Sequence, residues 1–383
     1  MRYPSADALG ARCGVVREAI RQENLDALVL SHLPNVQYLT GFGGSSAVLV
    51  VTPDRLLFVT DGRYATEVEQ SVRPNCPGLA LVPVDPSYDE TLARILDGFP
   101  GGRIGIEAGH MTVGRFTWLK ERLPVDSGAC QLVPVDRMVE AARLVKDDFE
   151  QAVFREAAAM LDDVVHDVFA VVREGQRELE LAGEIDYRIK RRGFARPSFE
   201  TIVASGPNAA LPHARPGERA LHAGDLVVLD FGGVLSGYCV DLTRTVSIGP
   251  PSDETGRLYA AVKEAQRASI DRVRPGVLAS DVDDAARRVL ETRGFGAMFS
   301  HGTGHGLGLE IHEEPRVGPI RAGTGVQQMT RDERLATGMV MTVEPGAYVP
   351  GVGGVRIEDD VLVTEGGCVV LTQAPRELFV VRR

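Results

Sequence analysis

The residues with the most chemical potential lie between Phe299 and Pro315, F-S-H-G-T-G-H-G-L-G-L-E-I-H-E-E-P. Three of the chain's eight histidines, His301, His305 and His312, fall in that stretch. Glycines at 302, 304, 306 and 308 disfavour a helix, since each costs about 1 kcal/mol against alanine in a helix interior. The stretch is therefore not an H-E-x-x-H helix with both histidines on one face. It reads as extended strand and loop whose small residues admit a close backbone approach.

Four acids sit in apolar, strand-like contexts elsewhere. Asp225 to Phe231 (D-L-V-V-L-D-F) sets Asp230 at the end of an apolar run, and Tyr238 to Thr245 (Y-C-V-D-L-T-R-T) holds Asp241 inside one. A turn at Gly232 to Gly237 could bring the two face to face across a hairpin. Val340 to Gly346 (V-M-T-V-E-P-G) ends a β-type run in Glu344, and Val355 to Val363 (V-R-I-E-D-D-V-L-V) puts Glu358 in a strand. A buried carboxylate must be paired or ligated. Four of them in one pocket repel unless cations intervene. Two Asp, two Glu and His305 form an oxygen-rich set that suits Mn²⁺ or a similar ion better than a structural zinc site. Bridging carboxylates would hold two ions about 3.5–4 Å apart, as in two-metal hydrolases.

The elements that must position these groups follow from periodicity. A helix over about residues 5–24 precedes strands at Leu25 to Ser31, Ala47 to Thr52 and Arg55 to Thr60, the last two a hairpin through T-P-D-R. A helix near 63–71, a strand at Val82 to Val84, a helix near 88–97 and the strand Arg103 to Glu107 continue an α/β alternation. His32 and His110 read as structural or solvated loop histidines. Asp61 and Arg63 read as turn and helix-start residues. The first domain is expected at 1–142 and the second at 143–383. Helices at Asp147 to Val172 and Glu178 to Arg191 lead into strands at Thr201 to Ser205, Asp225 to Phe231 and Gly237 to Ser247. Helices at 254–273 and 280–293 and strands near 298–301, 339–345 and 355–363 repeat that order. Two similar halves in one α+β domain are expected, with a site between them.

Composition narrows the partners. A formal charge of −11 argues against nucleic acid and anionic membranes. No apolar run reaches the roughly 18 residues of a spanning helix, and the opening M-R-Y-P-S-A-D-A-L-G has no signal-peptide core. The five cysteines are scattered without a C-x-x-C pair, which fits free thiols in a reducing cytoplasm.

With these motifs in view, the chain resembles the metal-dependent pita-bread peptidases, and within them the Xaa-Pro branch of prolidase and aminopeptidase P. S-G-P-N-A-A-L-P-H ending at His213, D-F-G from Asp230, D-L-T-R-T from Asp241, H-G-T-G-H from His301, H-E-E-P from His312, E-P-G from Glu344 and R-I-E-D from Arg356 carry the resemblance. It covers about residues 145–383. G-F-G-G-S-S from Gly41 and V-T-D-G-R-Y-A from Val59 extend it more loosely into the first domain. It implies a smaller α/β N-terminal domain of creatinase type and a C-terminal pita-bread catalytic domain, creatinase/methionine aminopeptidase-like.

The resemblance also implies roles. Asp230 would hold one divalent ion, Asp241 and Glu358 would bridge two, and His305 and Glu344 would complete the second. Mn²⁺ is the expected ion, with Co²⁺ or Zn²⁺ as alternatives. Glu344 would double as general base, and His312 would bond the developing oxyanion or the proline nitrogen side. His213 and His301 would line the pocket. Tyr348 and Arg356 would orient Asp230, with pairing to Asp359 or Asp360 as the plain alternative for Arg356. The expected substrate is a proline-containing dipeptide, with longer peptides cleaved by an aminopeptidase P as the alternative and a non-catalytic scaffold behind both. A homodimer is implied. The segment 316–338 is longer than such a family leads one to expect and could shape the pocket mouth.

Overall fold

In the computed structural model, residues 2–123, 128–320 and 332–382 are described. The chain divides into two units, one ending at Arg143 and the other beginning at Leu144. The expected insertion at 316–338 lies partly outside the described residues, which omit 321–331.

The first unit is an α/β layer. Its strands are β1 (Ala27–Leu30), β2 (Val48–Val51), β3 (Leu56–Thr60), β4 (Leu79–Pro83), β5 (Arg103–Glu107) and β6 (Gln131–Val135), in the order β4-β3-β2-β1-β5-β6. β2 runs antiparallel to both neighbours, and the other pairings are parallel. Helices α1 (Ala6–Gln22), α2 (Leu33–Thr40), α3 (Ala65–Glu67), α4 (Tyr88–Leu96), α5 (Val113–Arg122) and α6 (Met138–Arg143) connect them. Ser5 caps α1 by accepting from Ala8 N–H, and α1 buries Leu9, Cys13, Val16 and Ile20 at helical spacing. The sequence reading missed α2. It starts at an uncapped His32 and carries Pro34, which reads as a loop. His32 is not a separate loop histidine either, because its ring stacks on that of His110 at 3.6 Å. Asp61 and Arg63 pair with each other in a double-pronged contact.

The second unit opens with α7 (Asp148–Phe169), where Asp147 and Glu150 form a reciprocal capping box, and α8 (Glu178–Arg191). β7 (Ile202–Ser205), β8 (Leu226–Leu235) and β9 (Tyr238–Ile248) follow. Then α9 (Asp253–Arg272) and α10 (Ala279–Thr292) repeat the helix pair. The remaining strands are β10 (Gly304–Gly306), β11 (Glu313–Val317), β12 (Val340–Val343), β13 (Gly346–Val349), β14 (Gly353–Arg356), β15 (Asp359–Thr364), β16 (Gly367–Val370) and β17 (Phe379–Val381). One sheet is ordered β17-β9-β8-β7, another β11-β10-β12-β15-β16, and β13-β14 stand as a separate ribbon.

Three local expectations need correction. The hairpin turn is only Ser236-Gly237, both with left-handed φ (50° and 92°), so Gly232 and Gly233 lie inside β8 and Asp230 is mid-strand rather than at its end. No strand forms at 298–301. Arg287 of α10 donates to the carbonyls of Phe299 and His301 and holds that segment in loop geometry. The expected strand 355–363 is two strands. β14 pairs with β13 and β15 with β12, which leaves Ile357 and Glu358 at the break.

Candidate metal centre

The β8–β9 hairpin places the two aspartates. Asp230 opposes Thr243 and Asp241 opposes Gly232, so both side chains stand on one face, one diagonal step apart. The other sheet supplies His305 from β10, Glu344 just after β12 and Glu358 just before β15. Gly304 and Gly306 flank His305 for a steric reason. A Cβ on Gly304 would meet the Thr342 carbonyl at 2.1 Å, and one on Gly306 the Glu314 carbonyl at 2.0 Å. The close backbone approach read from the glycines is thus between neighbouring strands.

These groups line a cavity of about 540 Å³ in the second unit, together with His213, His301, His312 and Arg356. Tyr348 is not on its wall. It is buried behind it, only 6 % exposed. Ligand atoms of Asp241, His305 and Glu358 all lie within 4.8 Å of one another. His305 Nε2 is 3.4 Å from Glu344 Oε1 and 3.8 Å from Asp241 Oδ2. Asp230 stands outside that tightest group, and its Oδ2 accepts from Arg356 Nη2.

The hydrogen bonds fix where protons lie. His305 Nδ1 is 3.0 Å from the Gly306 carbonyl, which can only accept, so Nδ1 carries the hydrogen. Burial pushes the His305 pKa down to about 4, so the ring is neutral and Nε2 offers a lone pair. That lone pair points at carboxylate oxygens, an arrangement that calls for a cation or a proton between them. The acids say the same. Burial, then Asp230, Asp360 and Glu344, raise Asp241 well above the carboxylate range. Burial, then Asp241, Glu344 and Asp230, do so for Glu358. Glu344 is pushed up to about 8, again chiefly by burial. Asp230 Oδ1, Asp241 Oδ1 and Glu358 Oε1 are buried oxygens with no hydrogen-bond partner, each costing roughly 1–3 kcal/mol if left so. The donor set therefore fits hard divalent cations.

Around this core runs a network anchored on Arg356, 3 % exposed. Arg356 donates to Asp230, to Thr243 Oγ1 at 3.2 Å and to Tyr348 Oη at 2.8 Å. Thr243 in turn donates to Glu358 Oε2 at 2.6 Å. Tyr348 Oη lies 2.8 Å from His301 Nε2, and His301 Nδ1 lies 2.7 Å from the Gly302 carbonyl. His301 must donate from Nδ1, so it accepts from Tyr348 at Nε2. Both its ring nitrogens are engaged, and burial lowers its pKa to about 4. The plain alternative for Arg356 fails: Asp359 is held instead by Arg244, Arg376, Gln266 and Thr372.

His213 and His312 are exposed residues on the cavity wall. The His312 ring lies 4.4 Å from that of His305, edge to face at 69°. Sequence reasoning missed the supports. Thr243 orients Glu358, and Thr342 receives His305 N–H and donates to Glu344. Asp283 and Arg287 on α10 pin the backbone at Thr303 and His301. The advance signal for them is the T-R-T and V-M-T-V-E context of the candidate ligands themselves.

Residues 152–365 match metallopeptidase family M24, and residues 12–145 match the creatinase/prolidase N-terminal domain. The chain belongs to metallopeptidase family M24. The Xaa-Pro dipeptidase of Pyrococcus horikoshii is 32 % identical, over 97 % of this chain and 100 % of its own. Among solved structures, the Xaa-Pro dipeptidase from Bacillus anthracis superposes with a TM-score of 0.88 at 32 % identity, covering 97 % of this chain and 99 % of that one. The X-Pro aminopeptidase from Thermotoga maritima gives 0.82 at 30 % identity, covering 95 % and 100 %. The expected fold holds for this M24 metallopeptidase: a creatinase/prolidase N-terminal domain followed by a pita-bread domain. Among the described residues no helix is long and apolar enough to cross a membrane.

Proposed function

We propose that this M24 metallopeptidase hydrolyses the Xaa-Pro bond of dipeptides, with two divalent ions held by Asp230, Asp241, His305, Glu344 and Glu358. The observation that carries the reading is the convergence of the His305 Nε2 lone pair with three unpartnered carboxylate oxygens on one cavity. Mn²⁺ is the proposed metal, since four of the five donors are carboxylates. Bound there, the ions would supply Lewis-acid polarisation and an acidified water.

The chain's own residues do the rest. Arg356 and Thr243 keep Asp230 and Glu358 aimed inward. Glu344 accepts a proton from the attacking water and returns it to the leaving nitrogen. His312, on the open wall, stabilises the oxyanion or the proline nitrogen side. His213 contacts the peptide from its exposed loop. His301 serves mainly to hold Tyr348, because both its nitrogens are already bonded. Relatives named for dipeptides over the full chain length support the dipeptide reading. A homodimer in the cytoplasm completes the proposal, and the five free thiols accord with a reducing compartment.

The test is hydrolysis of an Xaa-Pro dipeptide against an Xaa-Pro-Xaa tripeptide by the Mn²⁺-loaded protein. Faster dipeptide cleavage supports a prolidase. Faster tripeptide cleavage makes it an aminopeptidase P, and cleavage of neither removes the Xaa-Pro assignment.

A further inference from the structure

Beneath the loop that carries His312, two ionisable side chains meet out of reach of solvent. Lys146, in the segment just before α7, has its Nζ 3.6 Å from Glu313 Oε2, and the two side chains are 1 % and 8 % exposed. Neither belongs to the ligand set or to the cavity wall. Lys146 is itself held at both ends of its peptide unit: its N–H donates to the Gly338 carbonyl at 2.9 Å, and its carbonyl accepts from Gln151 Nε2 at 2.9 Å.

Glu313 closes the loop on itself. Its Oε1 accepts the Glu310 N–H at 3.1 Å. The same carboxylate lies against Gly308, where an added Cβ would come within 2.0 Å of it. Gly308 N–H bonds the Glu310 carbonyl, and the Gly308 carbonyl accepts from Cys239 N–H at 2.8 Å. A short lariat from Gly308 to Glu313 results, tied by the Glu313 carboxylate, with the Lys146 ammonium beside it and 3.5 Å from the Leu144 carbonyl. His312 is the residue immediately before the knot, with its ring against His305. A buried ion pair adds little net stability, because desolvating both charges offsets their attraction. What remains is a buried charge contact one residue along the chain from the exposed His312 imidazole.

We propose that the buried Lys146–Glu313 pair sets the stance of His312 over the carboxylate cluster, which makes Lys146 and Glu313 positioning residues for turnover. The proposal rests on the peptidase reading of that site. A misplacement of about 1 Å can reduce a rate by about 100-fold, so a softened lariat is expected to lower kcat by about 10-fold or more while leaving KM nearly unchanged.

The experiment is a mutant cycle on the Mn²⁺-loaded enzyme, with Lys146→Met, Glu313→Gln and each combined with His312→Ala. It is read by kcat and KM on an Xaa-Pro dipeptide and by bound metal per chain. Expected are a drop in kcat for either single variant, metal content equal to that of the unmodified enzyme, retention of kcat in Lys146→Arg, and less than about a twofold further effect once His312 is already alanine. An equal drop in both backgrounds, or loss of metal, overturns the proposal. Should Lys146→Met not fold, Glu313→Gln, which keeps side-chain volume and the acceptor for Glu310, carries the cycle. If the unmodified enzyme cleaves no proline peptide, the peptidase reading fails separately. The crystal structure of Glu313→Gln then decides: a His312 ring that has left His305 supports the proposal, and one still seated there overturns it.

Discussion

Glu344 Oε1 lies 3.4 Å from His305 Nε2, a nitrogen that carries no hydrogen because Nδ1–H is given to the Gly306 carbonyl. In the metal-free protein a proton on Glu344 is the cheapest way to reconcile the two. Burial, then the Asp230 carboxylate, push Glu344 up to about 8, against the lowering pull of Arg356. A metal ion must displace that proton, so metal binding and acidity are linked. Adding Mn²⁺ to metal-free protein in weakly buffered solution at about pH 7 is expected to release protons. A pH indicator reads this directly, and uptake or no change would contradict the ligand assignment.

The same acids set the stability of the metal-free state. Asp241, Glu344 and Glu358 all have raised folded pKa values. An acid of that kind contributes stability that is fully present below the ordinary carboxylate range and is lost as pH climbs through its folded pKa. In chelator, the melting temperature of the second unit should fall between about pH 5 and pH 9, and saturating Mn²⁺ should restore it at the upper end. A level or rising profile in chelator would show that these carboxylates are stabilised by something other than protons.

Glu358→Ala removes an oxygen donor and the acceptor of the Thr243 hydroxyl at once. Loss of bound metal and of turnover is expected. Near-normal activity with a full complement of metal would sink the dinuclear arrangement.

Tyr348→Phe tests the network without touching the cavity wall. It deletes an acceptor for Arg356 and the donor to His301, leaving a buried guanidinium N–H unmatched. A stability loss of roughly 1–3 kcal/mol is expected from that mismatch alone. Turnover should fall with it, because Arg356 also aims Asp230. Denaturant unfolding and steady-state kinetics separate the two effects, and an unchanged unfolding midpoint would mean that water replaces the phenol.

His312→Ala should leave the metals in place and reduce kcat by about 10²–10³-fold, the usual cost of removing one oxyanion donor. Loss of metal from that variant would reassign His312 to the ligand shell.

How much of this was legible beforehand depends on whether the signal was local. α8 and β5 agree with the sequence reading to the residue, because amphipathic spacing and short apolar runs are written in neighbouring positions. The five proposed ligand positions were legible as four acids in apolar runs and a histidine in a glycine-rich stretch. The loop at 298–301 was not, because Phe299, Ser300 and His301 alternate like a strand, and only Arg287 from another element overrides them. The break at Glu358 was equally hidden. Val355 to Val363 is uniformly β-prone, yet its two parts pair with different partners. The Lys146–Glu313 contact joins the two ends of a long stretch of chain, and no local pattern announces it.

The sheet order has one more consequence. Asp230 and Asp241 belong to the β17-β9-β8-β7 sheet, while His305, the strand before Glu344 and the strand after Glu358 belong to β11-β10-β12-β15-β16. The last strand, β17, crosses back to run beside β9. If the chain were severed after β9, neither fragment would own a complete set of the proposed donors, and the shorter one would carry a strand that only the longer can receive. Chelation would then report reassembly of the two fragments, and the metal would act as the rivet that joins them.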